Sequence, residues 1–347
     1  MCADPARALC DDTMGHVVSF LDENCVMAVR GVAFLWRAAG TTEAVRRVHD
    51  RNIDFRNYEA GMSPRTVHNL GDGREFEAVA VAPDGTVFAA DTAHHGGDGS
   101  VRIYDNNLQH LRTIDSDYVP CLCVGPGGDE IYAGSHGQVR VWTFDGTLVR
   151  TLAVPRADVW FLTFGGNGEL YAGSADGNIN AWDANGGHSR TWLAHEGDVW
   201  CLAASPQFAS LLYSGGDDNK IKKWNTAGRC LRIFEGHTDC VNALTFGPCG
   251  VKLYSGSHDR SIRVWSPSGE PLLTFEEGHT DHVTCLEFSH DGRMYSGSDD
   301  GTIRVWSADG KLLRTLRGHE DEVNSLAFDP DSTKLYSGSS DGVVKVW

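Results

Sequence analysis

Gly236-His237-Thr238-Asp239-Cys240-Val241-Asn242-Ala243-Leu244-Thr245-Phe246, followed by Leu253-Tyr254-Ser255-Gly256-Ser257-His258-Asp259-Arg260-Ser261-Ile262-Arg263-Val264-Trp265, is the stretch whose reading decides the fold. Val241, Leu244 and Phe246 line a first strand, and Leu253 to Ser257 form a second. His258-Asp259-Arg260-Ser261 is a tight turn. Ile262 to Trp265 alternates apolar and polar as a third strand does. Pro271-Leu272-Leu273-Thr274-Phe275 is the fourth, and Gly278-His279 opens the next copy. That copy repeats the pattern with Leu286, Ser296, Asp300, Trp306 and Gly318-His319. Outward from here, a tryptophan returns every 38 to 42 residues, at Trp142, Trp182, Trp224, Trp265, Trp306 and Trp347, with Tyr104 in the slot before the first. A period of about 40–45 residues marks four-stranded propeller blades. Seven slots predict seven blades.

The pieces Gly-His, Ser-Gly-Ser-x-Asp and Ile-x-x-Trp, in that order and in several copies, closely resemble the WD-repeat (WD40) family over residues 65 to 347. The resemblance implies that a histidine, a serine, an aspartate and a tryptophan of one blade form a buried hydrogen-bond chain. By motif position the sets are His195, Ser214, Asp218 and Trp224; His237, Ser255, Asp259 and Trp265; His279, Ser296, Asp300 and Trp306; and His319, Ser337, Asp341 and Trp347. Ser, His and Asp together also suggest a hydrolase. A catalytic triad is needed once, however, and this trio occurs once per blade, so a structural role is expected and no catalytic residue is assigned. Blades one to three depart from the pattern. Ala172 takes the serine slot, His136-Gly137 shortens the turn of blade two, and Ala93-His94-His95-Gly96-Gly97 is inserted before Asp98.

The chain has 347 residues, room for one ring and a small extra module. Its 40 glycines suit a fold with frequent tight turns. The net charge of −17, from 30 basic and 47 acidic residues, opposes general binding to nucleic acid or anionic membranes and favours basic partners. Of ten cysteines, Cys121, Cys123, Cys201, Cys240 and Cys285 lie in or beside first strands, where a small apolar residue packs well. No CxxC pair has zinc spacing, and His94-His95 lacks a third ligand nearby in sequence. No metal and no cofactor are therefore expected, and a reducing compartment, cytoplasm or nucleus, is. No apolar run reaches the length of a membrane span, and the first residues lack the pattern of a signal peptide.

Ending at Trp347, the last blade would lack its outer strand. Pro64-Arg65-Thr66-Val67-His68 reads like Leu313-Arg314-Thr315-Leu316-Arg317, so an N-terminal strand is expected to complete it and hide an open edge. The domain reading is a helical module over residues 1–50, a linker over 51–62, and the ring over 63–347.

The first 50 residues lack the repeat and read as helical, with Asp11 or Asp12 and Asp22 or Asn24 as caps and Thr41-Thr42-Glu43 starting a last helix. The run Val17-Val18-Ser19-Phe20-Leu21-Asp22, then Val29, Val32 and Trp36-Arg37, resembles the F-box, with Leu9 in the leading leucine slot and Cys10 in place of the usual proline. That resemblance implies that Leu9, Val17, Val18, Phe20, Leu21, Val29, Val32 and Trp36 hold the adaptor subunit of a cullin-based (SCF-type) ubiquitin ligase, with the ring holding the substrate. The other reading is a helical cap that packs on the ring of a plain interaction scaffold.

The WD-repeat resemblance also implies that partners bind across the face where first strands begin. The slot after the first-strand valine holds Glu77, Pro120, Trp160, Trp200, Asn242, Thr284 and Asn324. The slot before it holds Glu75, Tyr118, Asp158, Asp198, Cys240, His282 and Glu322. Trp160, Trp200 and Tyr118 would form an aromatic group among Glu77, Asp158, Asp198 and Glu322, with Asp217 and Asp299 adding charge from turns. Aromatic rings beside carboxylates suit arginine or lysine, so a basic peptide segment is the expected ligand. Packing in degenerate blades is the alternative for the two tryptophans. The slots hold no arginine cluster of the kind that seizes phosphorylated segments.

Overall fold

A computed structural model describes residues 65–69, 74–93, 98–275 and 278–347. The segments read as helical, with Leu9 to Trp36 among them, lie outside the described residues. Among the described residues all regular structure is β.

The quoted stretch forms one antiparallel sheet of Val241–Phe246, Leu253–Ser257, Ile262–Trp265 and Pro271–Thr274, in that spatial order. Val199–Ala204, Leu211–Gly216, Ile221–Asn225 and Cys230–Phe234 form the sheet before it. Val283–Phe288, Met294–Ser298, Thr302–Trp306 and Leu312–Arg317 form the sheet after it. Arg74–Val81, Val87–Ala93, Gly99–Tyr104 and His110–Ser116 make another of the same kind. Between residues 121 and 193 the strands run together into a six-stranded sheet. Its two long strands, Glu130–Thr143 and Leu148–Phe164, carry pairing through the shortened turn at His136-Gly137, where Gly137 takes φ +72°. Leu148 to Ala153 pairs back onto Gln138 to Trp142, whereas Val159 to Phe164 pairs forward onto Leu170–Ser174.

First strands contact one another in succession around an axis, and the last, Val323–Phe328, meets Arg74–Val81. There the Asn324 amide donates to the Phe76 carbonyl (3.0 Å), and the Val79 N–H donates to Ser325 Oγ (3.0 Å). The outer strand of the last sheet is Arg65–Asn69, antiparallel to Val343–Val346 with Arg65 opposite Val346. Both seams are therefore covered by backbone pairing or side-chain bonds instead of ending in open edges.

The repeat's residue choices follow from how neighbouring sheets meet. Trp265 is fully buried among Cys201, Tyr213, Ile221 and Phe234 of the preceding sheet. Trp306 is buried in the same way among Tyr254, Ile262 and Phe275. Tyr104 packs with Tyr336 and Val344 of the last sheet, so it performs the same closure without an indole. Gly256 sits where an added Cβ would lie 2.5 Å from Val283 Cγ1 of the next sheet. A side chain there would hold the two sheets apart, which is why the middle of Ser-Gly-Ser carries none. Ser255 and Ser257 on either side are fully buried and hydrogen-bonded.

Candidate interaction face

The four expected quartets are assembled alike. His195 Nδ1 lies 2.6 Å from Asp218, its Nε2 lies 2.7 Å from Ser214 Oγ, and Trp224 Nε1–H donates to that oxygen at 2.8 Å. For His237 the partners are Asp259 (2.7 Å), Ser255 (2.6 Å) and, through the serine, Trp265 (2.8 Å). For His279 they are Asp300 (2.9 Å), Ser296 (2.7 Å) and Trp306 (2.8 Å). For His319 they are Asp341 (2.7 Å), Ser337 (2.7 Å) and Trp347 (2.9 Å). One proton arrangement satisfies each chain. Indole N–H donates to serine, serine O–H donates to Nε2, and Nδ1–H donates to carboxylate. The serine is thereby spent as donor and acceptor and is fully buried, so it is not itself an exposed nucleophile.

Burial by itself would raise these carboxyls. Hydrogen bonds outweigh it: His195 and Lys222 hold Asp218 far below the usual carboxylate range, and His237 and Ser261 do the same for Asp259. Burial is likewise opposed at Asp300 by His279 and Thr302, and at Asp341 by His319, which brings Asp341 down to about 2.

The drifted blades solve the same problem differently. In the sheet starting at Arg74, fully buried Asp91 accepts from Ser100 Oγ (2.7 Å), Arg102 Nε (2.5 Å) and Arg74 (2.6 Å). Asp98, the aspartate the motif frame points to, is exposed. Sequence reading missed Asp91 because it lies inside a strand; the signal was an aspartate in an otherwise apolar run, Val87-Phe88-Ala89-Ala90-Asp91.

The face residues owe their direction to irregular pairing. In each of six first strands the ladder shifts register at one residue: Glu77, Trp160, Trp200, Asn242, Thr284 and Asn324. A β-bulge leaves that residue out of the ladder and re-aims its side chain. These are the slots after the buried apolar residue, so the bulge is the physical origin of the face. Pro120 occupies the corresponding place just before Cys121–Val124.

Trp160 and Trp200 stack on one another with ring centroids 5.0 Å apart at 27°, and Tyr118 meets Trp160 edge-on at 6.3 Å. Trp160 Nε1–H donates to Asp198 (2.8 Å), and Trp200 Nε1–H donates to Asp217 (2.5 Å). Both rings are half-buried, so each indole is fixed by a carboxylate while part of its π surface stays open. Asp158 pairs with His136 at 2.7 Å. Glu77 accepts from Thr92 Oγ1 at 3.2 Å, and Glu322 is exposed.

These carboxylates crowd one another. Burial raises Asp198, and Asp217, Asp158 and Asp176 raise it further against the Trp160 hydrogen bond. Glu77 is raised by burial, with Glu75 and Glu322 adding to it against Thr92. Glu322, although exposed, loses part of its hydration to its neighbours and is raised by that and by Asp299, Asp321 and Glu75, against His282. Asp299 is raised by burial despite the opposing His282. Negative potential is therefore built into the face, with the imidazoles of His136 and His282 beside Asp158 and Asp299.

Elsewhere, a cleft of about 540 Å³ is lined by Arg74, Arg102 and Arg140 with Asp98, Asp115 and Asp117. Its guanidiniums are already matched, Arg74 and Arg102 to Asp91 and Arg140 to Asp117, so it is not an anion site.

A ring of buried polar quartets with an acidic, aromatic face defines a repeat protein built to hold other molecules. The WD domain, G-beta repeat (WD40) family matches residues 108–143, 146–183, 186–225, 228–266, 269–307 and 310–347, and the chain belongs to it. A solved WD40 beta propeller domain, that of Doa1, superposes with a TM-score of 0.71 over 82% of this chain and 96% of its own, at 22% identity, a likeness of fold. The type I inositol polyphosphate 5-phosphatase 13 of Arabidopsis thaliana is 30% identical over 128 residues, 37% of this chain and 10% of that protein. The chain thus spans about a tenth of that relative's length.

Proposed function

We propose that this chain is a protein-interaction scaffold, a seven-bladed WD40 ring that holds an arginine- or lysine-bearing segment of a partner protein on its acidic aromatic face in the cytoplasm or nucleus. The carrying observation is the Trp160–Trp200 stack, whose N–H groups are committed to Asp198 and Asp217 while its π surface stays part-open. An incoming guanidinium gains cation–π contact and charge-assisted hydrogen bonds there, and it relieves repulsion among Asp158, Asp198 and Asp217. The first of the seven blades is the sheet from Arg74 to Ser116, only whose outer strand falls inside the first matched repeat, and it uses Asp91 in place of a quartet. Repeated, buried Ser-His-Asp sets favour binding without bond chemistry.

Peptide arrays differing in arginine, lysine and phosphoserine content test the face. Basic peptides are expected to bind, and Trp200→Ala is expected to weaken them by about tenfold, the ~1–2 kcal/mol of a cation–π and stacking contact. Preference for phosphorylated acidic peptides would overturn the reading.

A finer assignment, substrate receptor of an SCF-type ubiquitin ligase, rests on the F-box-like residues Val17 to Trp36 joined to this ring. Retention of the adaptor subunit by the full chain, and its loss in a Phe20→Asp, Leu21→Asp variant, would support it. No retention would leave the scaffold alone.

A further inference from the structure

Beyond the aromatic pair, the face changes chemistry over one blade boundary. In the repeat, the turn residue of one sheet meets the residue before the valine of the next. Asp299 and Glu322 are such a pair, two carboxylates that repel, whereas Ala175 holds the turn slot before Asp198. Asp217 meets a thiol instead, with Cys240 Sγ–H donating to its Oδ1 at 3.3 Å. His258 meets His282, the two imidazoles stacking at 4.1 Å and 23°.

Asp239, Cys240 and His258 each direct one donor atom into a common space, all within 4.8 Å of one another. The ladder places them. Asp239 and Cys240 lead into Val241–Phe246, His258 follows Leu253–Ser257, and the His258 N–H donates to the Cys240 carbonyl at 3.0 Å. Asp239 Oδ1 accepts the Cys240 N–H at 2.8 Å, which orients the carboxylate and leaves Oδ2 to other partners. The Asn242 amide lies 2.5 Å from His258 Nε2, and its buried Oδ1 has no partner. A half-turn of that amide gives Nε2–H its acceptor and leaves the Nδ1 lone pair open, the outer-shell arrangement that metal-binding histidines use.

We propose that Asp239, Cys240 and His258 bind a zinc-class transition-metal ion, with solvent in the fourth position. One sulfur, one imidazole nitrogen and one carboxylate oxygen suit a borderline-soft, four-coordinate ion and disfavour calcium or magnesium. Tetrahedral donors sit roughly 3.3–3.8 Å apart, so small side-chain rotations close the set. On binding, the Cys240 S–H bond breaks, the sulfur pair goes to the metal, and the proton leaves to solvent. The next group along, Asp281, His282 and Asp299, lacks a thiol and is closed by an ion pair of 2.9 Å between His282 and Asp299.

Cobalt(II) titration of the full chain under a non-thiol reductant tests the assignment, with zinc as competitor. The wild type is expected to show a sulfur-to-cobalt charge-transfer band with tetrahedral d–d absorption, both erased by zinc. Cys240→Ser is expected to lose the band and His258→Gln to keep it at affinity lower by about tenfold or more. Cys230→Ser, at an exposed outer-strand cysteine, is expected to match wild type. Thermal melts of each variant establish that it is folded, and His258→Gln carries the test if Cys240→Ser is not. Absence of binding by the wild type, a band that survives Cys240→Ser, or cobalt bound with no charge-transfer band would each overturn the proposal.

Discussion

Asp299 and Asp300 are adjacent in the chain and opposite in behaviour. Asp300 accepts from His279 (2.9 Å), from the Thr302 N–H (2.9 Å) and from the Thr280 N–H (3.1 Å), and its carboxyl is held far below the ordinary range. Asp299 faces outward beside His282 (2.9 Å), and burial raises it. Two repeats earlier Asp198, in a face slot, is raised and the quartet residue Asp218 is lowered, whereas Asp217, which accepts from Trp200 and Cys240, is lowered too. Carboxylates at motif positions are surrounded by donors that the repeat supplies. Asp299, in a free slot, meets Glu322 in the free slot of the next blade, which is acidic too. The first set holds sheets together, and the second stores unfavourable charge that a cationic partner can relieve.

The sharpest way to break this contrast is to remove each carboxylate in turn. Asp300→Ala strands His279 and two backbone N–H groups, and is expected to cost about 2–4 kcal/mol, the sum of one or two unsatisfied buried groups. Asp299→Ala is expected to change stability by less than about 0.5 kcal/mol, as surface changes away from such features do. Urea unfolding followed by near-ultraviolet circular dichroism measures both. Equal losses would mean that the face, too, is structural. Trp306→Ala sets the upper end of the scale at about 3–5 kcal/mol, because it removes both the donor to Ser296 and the filler between two sheets.

The legibility of the molecule divides along the same line. The quartets could be read from the sequence because four residue types at fixed offsets have one geometric solution when the offsets repeat. The face was legible as slots, since Trp160, Trp200, Asp158 and Asp198 sit at constant distance from a valine. Its bulges were not, because a register shift leaves no mark in an alternating apolar pattern. Asp91 was hidden for a related reason: it replaces a quartet from a different strand, so the repeat frame looks for it in the wrong place. The Asp239–Cys240–His258 group was hidden because its members are joined by a strand pair and not by a short spacing. Nothing in a single blade hints that His258 will lie under His282.

A smaller effect sharpens the contrast on the binding side. Asp198→Asn keeps an acceptor for Trp160 Nε1–H, so the stack should persist while one charge is lost. Affinity for a basic peptide is expected to fall about threefold to tenfold at low salt, with the difference narrowing as salt screens the face. Titration of one labelled arginine peptide at two ionic strengths measures it. An undiminished affinity at low salt would place the peptide away from Asp198.

The weakest expected effect concerns pH, and its sign differs between the two carboxylate classes. For the quartets the folded carboxyls are depressed, so their stabilisation is fully present above the unfolded value near ~4 and is lost as pH falls through the folded values, to about 2 for Asp341. For Asp198 and Asp299 the folded carboxyls are raised, so the native state takes up protons before the unfolded chain does. Their ionised forms disfavour the fold at neutral pH, and that penalty disappears as pH falls from above their raised values toward ~4. An Asp198→Asn, Asp299→Asn variant is therefore expected to be slightly more stable than wild type at pH 7, with the difference shrinking toward pH ~4. Comparing the two proteins cancels the quartet contribution, including that of His319, whose lowered affinity for protons, caused by burial, also erodes stability on acidification. Urea midpoints at several pH values follow the difference. A gap that widened as pH fell would show that the outward carboxylates are stabilised by partners after all.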